Sequence, residues 1–270
     1  MDTVSIESRS LFSELGSSAA PYVLDVRRAA AFDADAAMIA GALRPEGDVA
    51  AYAARLPDKD RPIVVYCVHG HEVSRQAAAD LAAAGRRSRH LEGGIEAWRA
   101  AGLPTMRRRP DWRVPGGSRW ITRERPKIDR IACPWLIRRF IDPLAAFDYV
   151  PTPRVMAQAA TTGAVPYDIP GAVVSHRGER CSFDALIEDF ELRDTALDRL
   201  ATIVRGADTD RLDLAPQSSG LLAASLGLSQ RYARDHEMLE NAMALYDGLY
   251  AWCRQEVSGT NERHSWNPGT

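Results

Sequence analysis

Val64-Val65-Tyr66-Cys67-Val68-His69-Gly70-His71-Glu72-Val73-Ser74 runs an apolar, β-branched segment into a cysteine and then into a polar, glycine-containing turn. With Ile63 ahead of it, the run has no polar alternation, which suits a parallel strand buried on both faces. Ser74–Ala84 is alanine-rich with helical spacing. A thiol between such a strand and helix lies at the carboxyl end of the strand, where α/β folds gather their sites. The turn lets backbone N–H groups converge, and the helix start adds partial positive charge. Such a cradle draws a thiol from about 8.5 toward neutrality. Cys67 is therefore the candidate nucleophile. Val68, His69, Gly70, His71, Glu72, Val73 and Ser74 form the loop that would hold the anionic oxygens or sulfane sulfur of a transferred group. Gly70 permits the close turn, His69 and His71 add positive charge, and Ser74 is expected to cap the following helix. The bland alternative is a small buried hydrophobe at a strand end.

Outward from this stretch, Tyr22–Val26 reads as a second buried strand and Arg87–Leu91 as a short one, with helices near Val49–Leu56 and Ile95–Ala101. Strands alternating with helices predict an α/β domain over residues 1–104, with a mainly parallel sheet flanked by helices. Residues 105–117, with Arg107, Arg108 and Arg109 among Pro and Gly, read as a linker. From 118 to 256 the pattern is mainly helical. Helices are expected over Asp129–Ile141, Asp184–Phe190, Ala196–Arg205 and Arg231–Arg254, and strands over Arg119–Arg123, Phe147–Val150 and Val173–His176, giving an α+β domain. Residues 257–270 carry no periodic pattern and read as a flexible tail.

Composition bounds the function. The chain has 270 residues, 46% apolar and 26% charged, and a net charge of −2, which argues against nucleic acid or an anionic membrane as a general partner. No helix-turn-helix with a basic recognition helix stands out. The N-terminus lacks the basic region and apolar core of a signal peptide, and no run of about 18 apolar residues offers a membrane span. A reducing cytoplasm is expected, with Cys67, Cys133, Cys181 and Cys253 as free thiols.

Several blocks in order resemble the single-domain rhodanese sulfurtransferases. These are Leu24-Asp25-Val26-Arg27, Ile39-Ala40-Gly41-Ala42, Cys67-Val68-His69-Gly70 and Leu91-Glu92-Gly93-Gly94-Ile95-Glu96-Ala97-Trp98. The resemblance implies that Cys67 takes sulfane sulfur as a persulfide from a donor such as thiosulfate or another persulfide, and passes it to a thiol acceptor. It requires no cofactor, and Asp25 and Arg27 would support the loop. The loop departs from the family in placing Ser74 seven residues after Cys67, where a serine six residues on is common. The Cys-x5-Arg pattern of phosphatase-like and arsenate-reductase-like relatives is absent, because position 73 is Val. Glu72 would repel an incoming anion.

The run Trp120–Ile141, His176–Asp184, Ile203–Asp210 and Tyr246–Trp252 resemble the C-terminal domain of ChrB-type chromate-resistance proteins. That resemblance implies a role in chromate resistance, as a regulator or in handling an oxyanion. The alternatives are thus a chromate or arsenate reductase acting through Cys67 and a sensor of chromate resistance. Two constellations belong to this half. Arg123, Arg125, Lys127 and Arg130 offer an anion-binding face, since guanidinium groups pair with oxyanions, or else a solvated basic edge balanced by Glu124 and Asp129. His176, Glu179, Asp208 and His236 are candidate ligands for a divalent Zn, Mn or Fe ion, with Asp129, Asp210 or Asp235 as supplements. The competing account is structural, with Asp208 and Asp210 in a turn and His236 at a helix start. Cys133 is either a buried packing residue or a sulfur acceptor from Cys67.

Overall fold

The computed structural model describes residues 4–112 and 116–260. Its first half is built on a four-stranded parallel sheet in the order Ser5–Ile6, Ser88–Leu91, Ile63–Tyr66, Tyr22–Asp25. Tyr22–Asp25 and Ile63–Tyr66 are buried along their whole length, and their side chains alternate between two cores as the strand period of two requires. Val23, Val64 and Tyr66 join Ile95 and Trp98 of helix Gly94–Ala100 in one core. Tyr22, Leu24, Ile63 and Val65 join Ala77, Ala78 and Leu81 of helix Glu72–Ala83 in the other. Each such aliphatic side chain removed from water contributes about 1.5–3 kcal/mol. The rhodanese-like layering expected of this half is present.

The second half places helices around a three-stranded parallel sheet, Ala146–Val150, Arg119–Arg123, Val165–Pro166. Helix Asp129–Leu136 widens into a π-helical turn over Ile137–Ile141. Pro134 has no N–H for the carbonyl four residues back, and that carbonyl, of Arg130, instead accepts the Tyr167 hydroxyl at 3.3 Å. Helices Ser182–Asp189, Thr195–Asp208, Gln217–Arg231 and Asp235–Ser258 complete the half. The strand expected over Val173–His176 is absent. Only an isolated bridge from Val174 to Tyr167 forms there.

The stretch read as a linker is structural. Thr105–Arg107 pairs antiparallel with Ala37–Ile39, and the Arg107 N–H reaches forward to the Phe190 carbonyl at 2.7 Å. Trp112 is buried with its ring centroid 5.7 Å from Trp120 and 5.6 Å from Phe190, and the Arg109 guanidinium stacks 3.5 Å above it. The aromatic ring, invisible to a pattern of Pro, Gly and Arg, plugs one continuous core that runs from Trp98 through Met106 to Phe140 and Tyr250. Positions 113–115, and 261–270 of the segment read as a tail, lie outside the described residues. Val257 and Ser258 of that segment still belong to the last helix.

Candidate active site

Cys67 follows strand Ile63–Tyr66 directly and is 7% exposed. Its Sγ lies 3.2 Å from Ser74 Oγ, and the Ser74 hydroxyl also reaches the His71 carbonyl at 3.2 Å. The thiol is held below its ordinary value. Burial opposes ionisation, but the Ser74 hydroxyl and the backbone N–H groups of Ser74, His71 and Gly70, all directed at the sulfur, outweigh it. Helix Glu72–Ala83 starts two residues earlier than expected, so Ser74 is not its cap. His71 occupies the cap position without a side-chain bond, and Ser74 sits inside the first turn, where its hydroxyl lies against the sulfur. Glu72 is the first helical residue, where a carboxylate meets the positive end of the helix.

The loop is locked from below. Gly70 has φ 68°, and a Cβ there would stand 2.5 Å from the Leu91 carbonyl oxygen and 2.6 Å from Gly93 N. Gly94, at φ 58°, abuts the carbonyls of Cys67 and Val68. The Ile95 N–H then donates to the Cys67 carbonyl at 3.0 Å and the Glu96 N–H to the Val68 carbonyl at 3.2 Å. The start of helix Gly94–Ala100 is thus the floor of the cysteine loop.

A buried ion network buttresses the loop from the side. Arg27 contacts both oxygens of Asp25, at 3.0 Å through Nε and 2.6 Å through Nη2, and reaches Asp35 at 2.5 Å and the Ala37 carbonyl at 2.9 Å. Tyr66 donates its hydroxyl to Asp25 at 2.8 Å, and Arg44 donates to the carbonyls of Asp25 and Arg27. Burial opposes the Arg27 charge, but Asp25, Tyr66 and Asp35 together raise its pKa above the usual value. Asp25 and Arg27 therefore lie beside the loop, Arg27 lining the same pocket as Cys67.

A shallow open pocket above the sulfur is lined by Cys67, Val68, His69, His71, Glu72, Val73, Arg27, Arg28 and Ala31. All of these belong to the first half. His69, His71 and Gly70 also line a neighbouring cleft with Arg75 and His90. Arg28, Arg75 and His90 carried no motif and are brought to the site by folding alone.

Cys133 is 0% exposed in the core of the second half, with its Sγ 3.7 Å from Asp129 Oδ1. Burial and the nearby Asp129 push its thiol well up. It is a buried packing residue.

The second half gathers a different cluster. His176 Nε2 lies 3.1 Å from Asp208, 3.4 Å from Asp168 and 3.7 Å from Asp129. Hydrogen bonding to Asp168 raises the imidazole to about 9 against its partial burial, with Asp129 and Asp208 adding to the effect. Burial, then Asp208 and Asp168, push Asp129 far above the usual carboxylate range. Of the metal candidates, His176 and Asp208 meet, and Asp129 joins them. Glu179 does not, because it is exposed on the turn bridged by Arg177 and Arg180. His236 packs edge-on against Tyr149, 5.5 Å between centroids. Asp235 instead accepts the Arg125 N–H. Asp168 was missed. It stands alone between Tyr167 and Ile169, with no spacing to mark it.

The anion face does not assemble as one surface. Arg125 spends its guanidinium on the carbonyls of Ser229, Tyr232 and Ala233, closing the end of helix Gln217–Arg231. Arg130 pairs with Asp168 at 3.2 Å and bonds the Glu124 carbonyl. Arg123 is exposed and Lys127 half-buried.

Two family models match the chain, one described as a rhodanese-like domain over residues 10–101 and one as the ChrB C-terminal domain over residues 120–253. The chain joins a rhodanese-like domain to a ChrB C-terminal domain. A curated relative, Protein ChrB of Cupriavidus metallidurans, is 36% identical over 135 residues, 50% of this chain and 40% of that protein. The chain thus matches less than half the length of that relative. Among solved structures, a rhodanese-related protein from Thermoplasma volcanium is 27% identical, covering 38% of this chain and 96% of that one, with a TM-score of 0.31. A thiosulfate sulfurtransferase from Pseudomonas aeruginosa is 29% identical over 38% of this chain and 19% of that one, also with a TM-score of 0.31. Among the described residues, no helix is long and apolar enough to cross a membrane.

Proposed function

We propose that the chain is a sulfurtransferase in which Cys67 carries sulfane sulfur as a persulfide, and that its ChrB domain ties this chemistry to chromate resistance. The observation that carries the reading is Cys67 lining an open pocket with its sulfur 3.2 Å from the Ser74 hydroxyl, the nearby backbone N–H groups of Ser74, His71 and Gly70 favouring the thiolate. A thiolate so stabilised at neutral pH is a nucleophile.

It attacks the outer sulfur of thiosulfate. The S–S bond of the donor breaks, sulfite leaves with the bonding pair, and a Cys67 persulfide anion remains, stabilised by N–H groups in the loop. An acceptor thiolate then attacks the terminal sulfur and releases the Cys67 thiolate. Neither step calls for a cofactor. The chemistry belongs to a reducing compartment such as the cytoplasm. Arg28 supplies positive charge at the pocket wall, which His69 and His71 also line, while Glu72 opposes a doubly charged donor. A persulfide donor, with less charge to desolvate, is expected to outperform thiosulfate.

The test is sulfur transfer to cyanide, measured as thiocyanate, with thiosulfate and with glutathione persulfide as donors. Wild type is expected to turn over and Cys67→Ser to be inactive with both. Equal activity of the two proteins, or none in wild type with either donor, would defeat the reading.

A further inference from the structure

We infer that Asp129, His176 and Asp208, with Asp168 beside them, form a binding site for one divalent transition-metal cation in the ChrB domain, separate from the cysteine loop.

These residues come from four segments that only the fold brings together. Asp129 opens helix Asp129–Leu136, Asp168 follows strand Val165–Pro166, His176 stands in the loop before helix Ser182–Asp189, and Asp208 ends helix Thr195–Asp208. Asp129 and Asp168 follow the carboxyl ends of parallel strands, the edge at which such sheets bind ligands.

The spacing is that of ligands around a common ion. Donor atoms about 2.1 Å from one cation stand about 3 Å apart when adjacent and about 4 Å apart when opposite. The His176 Nε2 distances to the three carboxylates are 3.1, 3.4 and 3.7 Å, and one donor atom each from Asp129, His176 and Asp208 all lie within 4.8 Å of one another. The single N–H of that nitrogen satisfies one carboxylate at a time, whereas a cation between them satisfies Asp129 and Asp208 together.

Charge points the same way. Asp129 is 0% and Asp168 8% exposed, so their charges are poorly solvated. With the carboxylates ionised and the imidazole neutral, as metal ligation requires, the Arg130 guanidinium 3.2 Å from Asp168 leaves two formal negative charges, which a dication neutralises. The ligands are themselves fixed, as metal ligands require. The Ser182 and Phe183 N–H groups hold Asp129 at 2.6 and 3.0 Å, and the Ser182 hydroxyl holds Asp168 at 2.8 Å. Next to Asp129, Ile128 adopts φ 39°, a conformation rare for a β-branched residue, pinned by Ser225 on its N–H and Tyr246 on its carbonyl. His176 is 41% exposed, so the ion has a route in and a solvent-facing side. Oxygen donors with one imidazole favour Mn2+ or Fe2+ over thiolate-seeking ions.

The test uses the full chain, stripped with chelator and titrated with MnCl2, read by calorimetry, by elemental analysis after desalting and by thermal melting. Wild type is expected to bind one Mn2+ per chain and to melt higher with it. His176→Gln and Asp208→Asn, both at partly exposed positions, should keep the fold by circular dichroism and weaken binding about tenfold or more. Cys67→Ser should bind as wild type does. No saturable Mn2+ binding by wild type, unchanged binding in both folded variants, or loss of binding in Cys67→Ser would overturn the site.

Discussion

The Ser74 hydroxyl lies 3.2 Å from the Cys67 sulfur because helix Glu72–Ala83 begins two residues before Ser74 and turns that hydroxyl inward. Removing it takes away one hydrogen bond to a charged group, about 1.5–3 kcal/mol, or roughly 1–2 pH units in the thiol. Ser74→Ala is therefore expected to raise the Cys67 pKa. The pH profile of alkylation by iodoacetamide should move to higher pH by that amount, with little change in its high-pH plateau. An unshifted profile would mean that the backbone N–H groups alone hold the thiolate.

Gly94 closes the loop from below. At φ 58° it occupies a conformation that side chains avoid, and a Cβ would press on the Cys67 carbonyl and stand 2.7 Å from Gly70 N. Gly94→Ala is expected to cost about 1–3 kcal/mol in urea unfolding, and to slow Cys67 alkylation at neutral pH as the N–H cradle opens.

Arg27 and Asp25 form a buried pair, 1% and 0% exposed. Arg27→Met leaves the Asp25 carboxylate without its guanidinium and should destabilise the domain by about 3–5 kcal/mol. Asp35, the outer member of the network, titrates below the usual carboxylate value. Its partial burial works against this, but the Ala37 N–H, Arg99 and Arg27 hold the charged form. A depressed folded pKa contributes stability above the unfolded value of about 4, and that stability is lost as pH falls through the lower folded value. Asp35→Asn should accordingly reduce the melting temperature at neutral pH and flatten its fall on acidification.

Much of the first half was legible because its determinants are local. A buried strand, a cysteine and a glycine turn lie within a dozen residues, and Gly93-Gly94 marks the helix that packs beneath them. The helix start at Glu72 was missed because capping is decided by backbone geometry at His71, which has no cap-forming side chain. Helix Gln217–Arg231 was hidden by Ser218, Ser219, Gly220 and Gly227. It folds through contact, where Gly206 admits Ser218 so closely that the Ser218 hydroxyl bonds the Ile203 carbonyl at 3.0 Å. Asp168 left no trace in the pattern, since only the fold carries it to His176. Arg125 misled in the opposite direction: its charge suggested an anion, and its guanidinium closes a helix end instead.

Asp247 clasps the two halves. It accepts from Arg139 at 2.8 and 3.0 Å, from Trp135 Nε1 at 2.8 Å and from the Ser18 N–H of the first half at 3.3 Å. Asp247→Ala leaves Arg139 and the Trp135 indole without this partner and should cost about 2–3 kcal/mol. Limited proteolysis should then cut more readily between the halves, while Cys67 alkylation stays unchanged.

The most direct measurement is the intact mass of the full chain after incubation with excess thiosulfate and removal of small molecules. The account predicts that wild type gains the mass of one sulfur atom, that cyanide removes it, and that Cys67→Ser gains nothing. An unmodified wild-type mass with both thiosulfate and glutathione persulfide, or the same gain in Cys67→Ser, would contradict it.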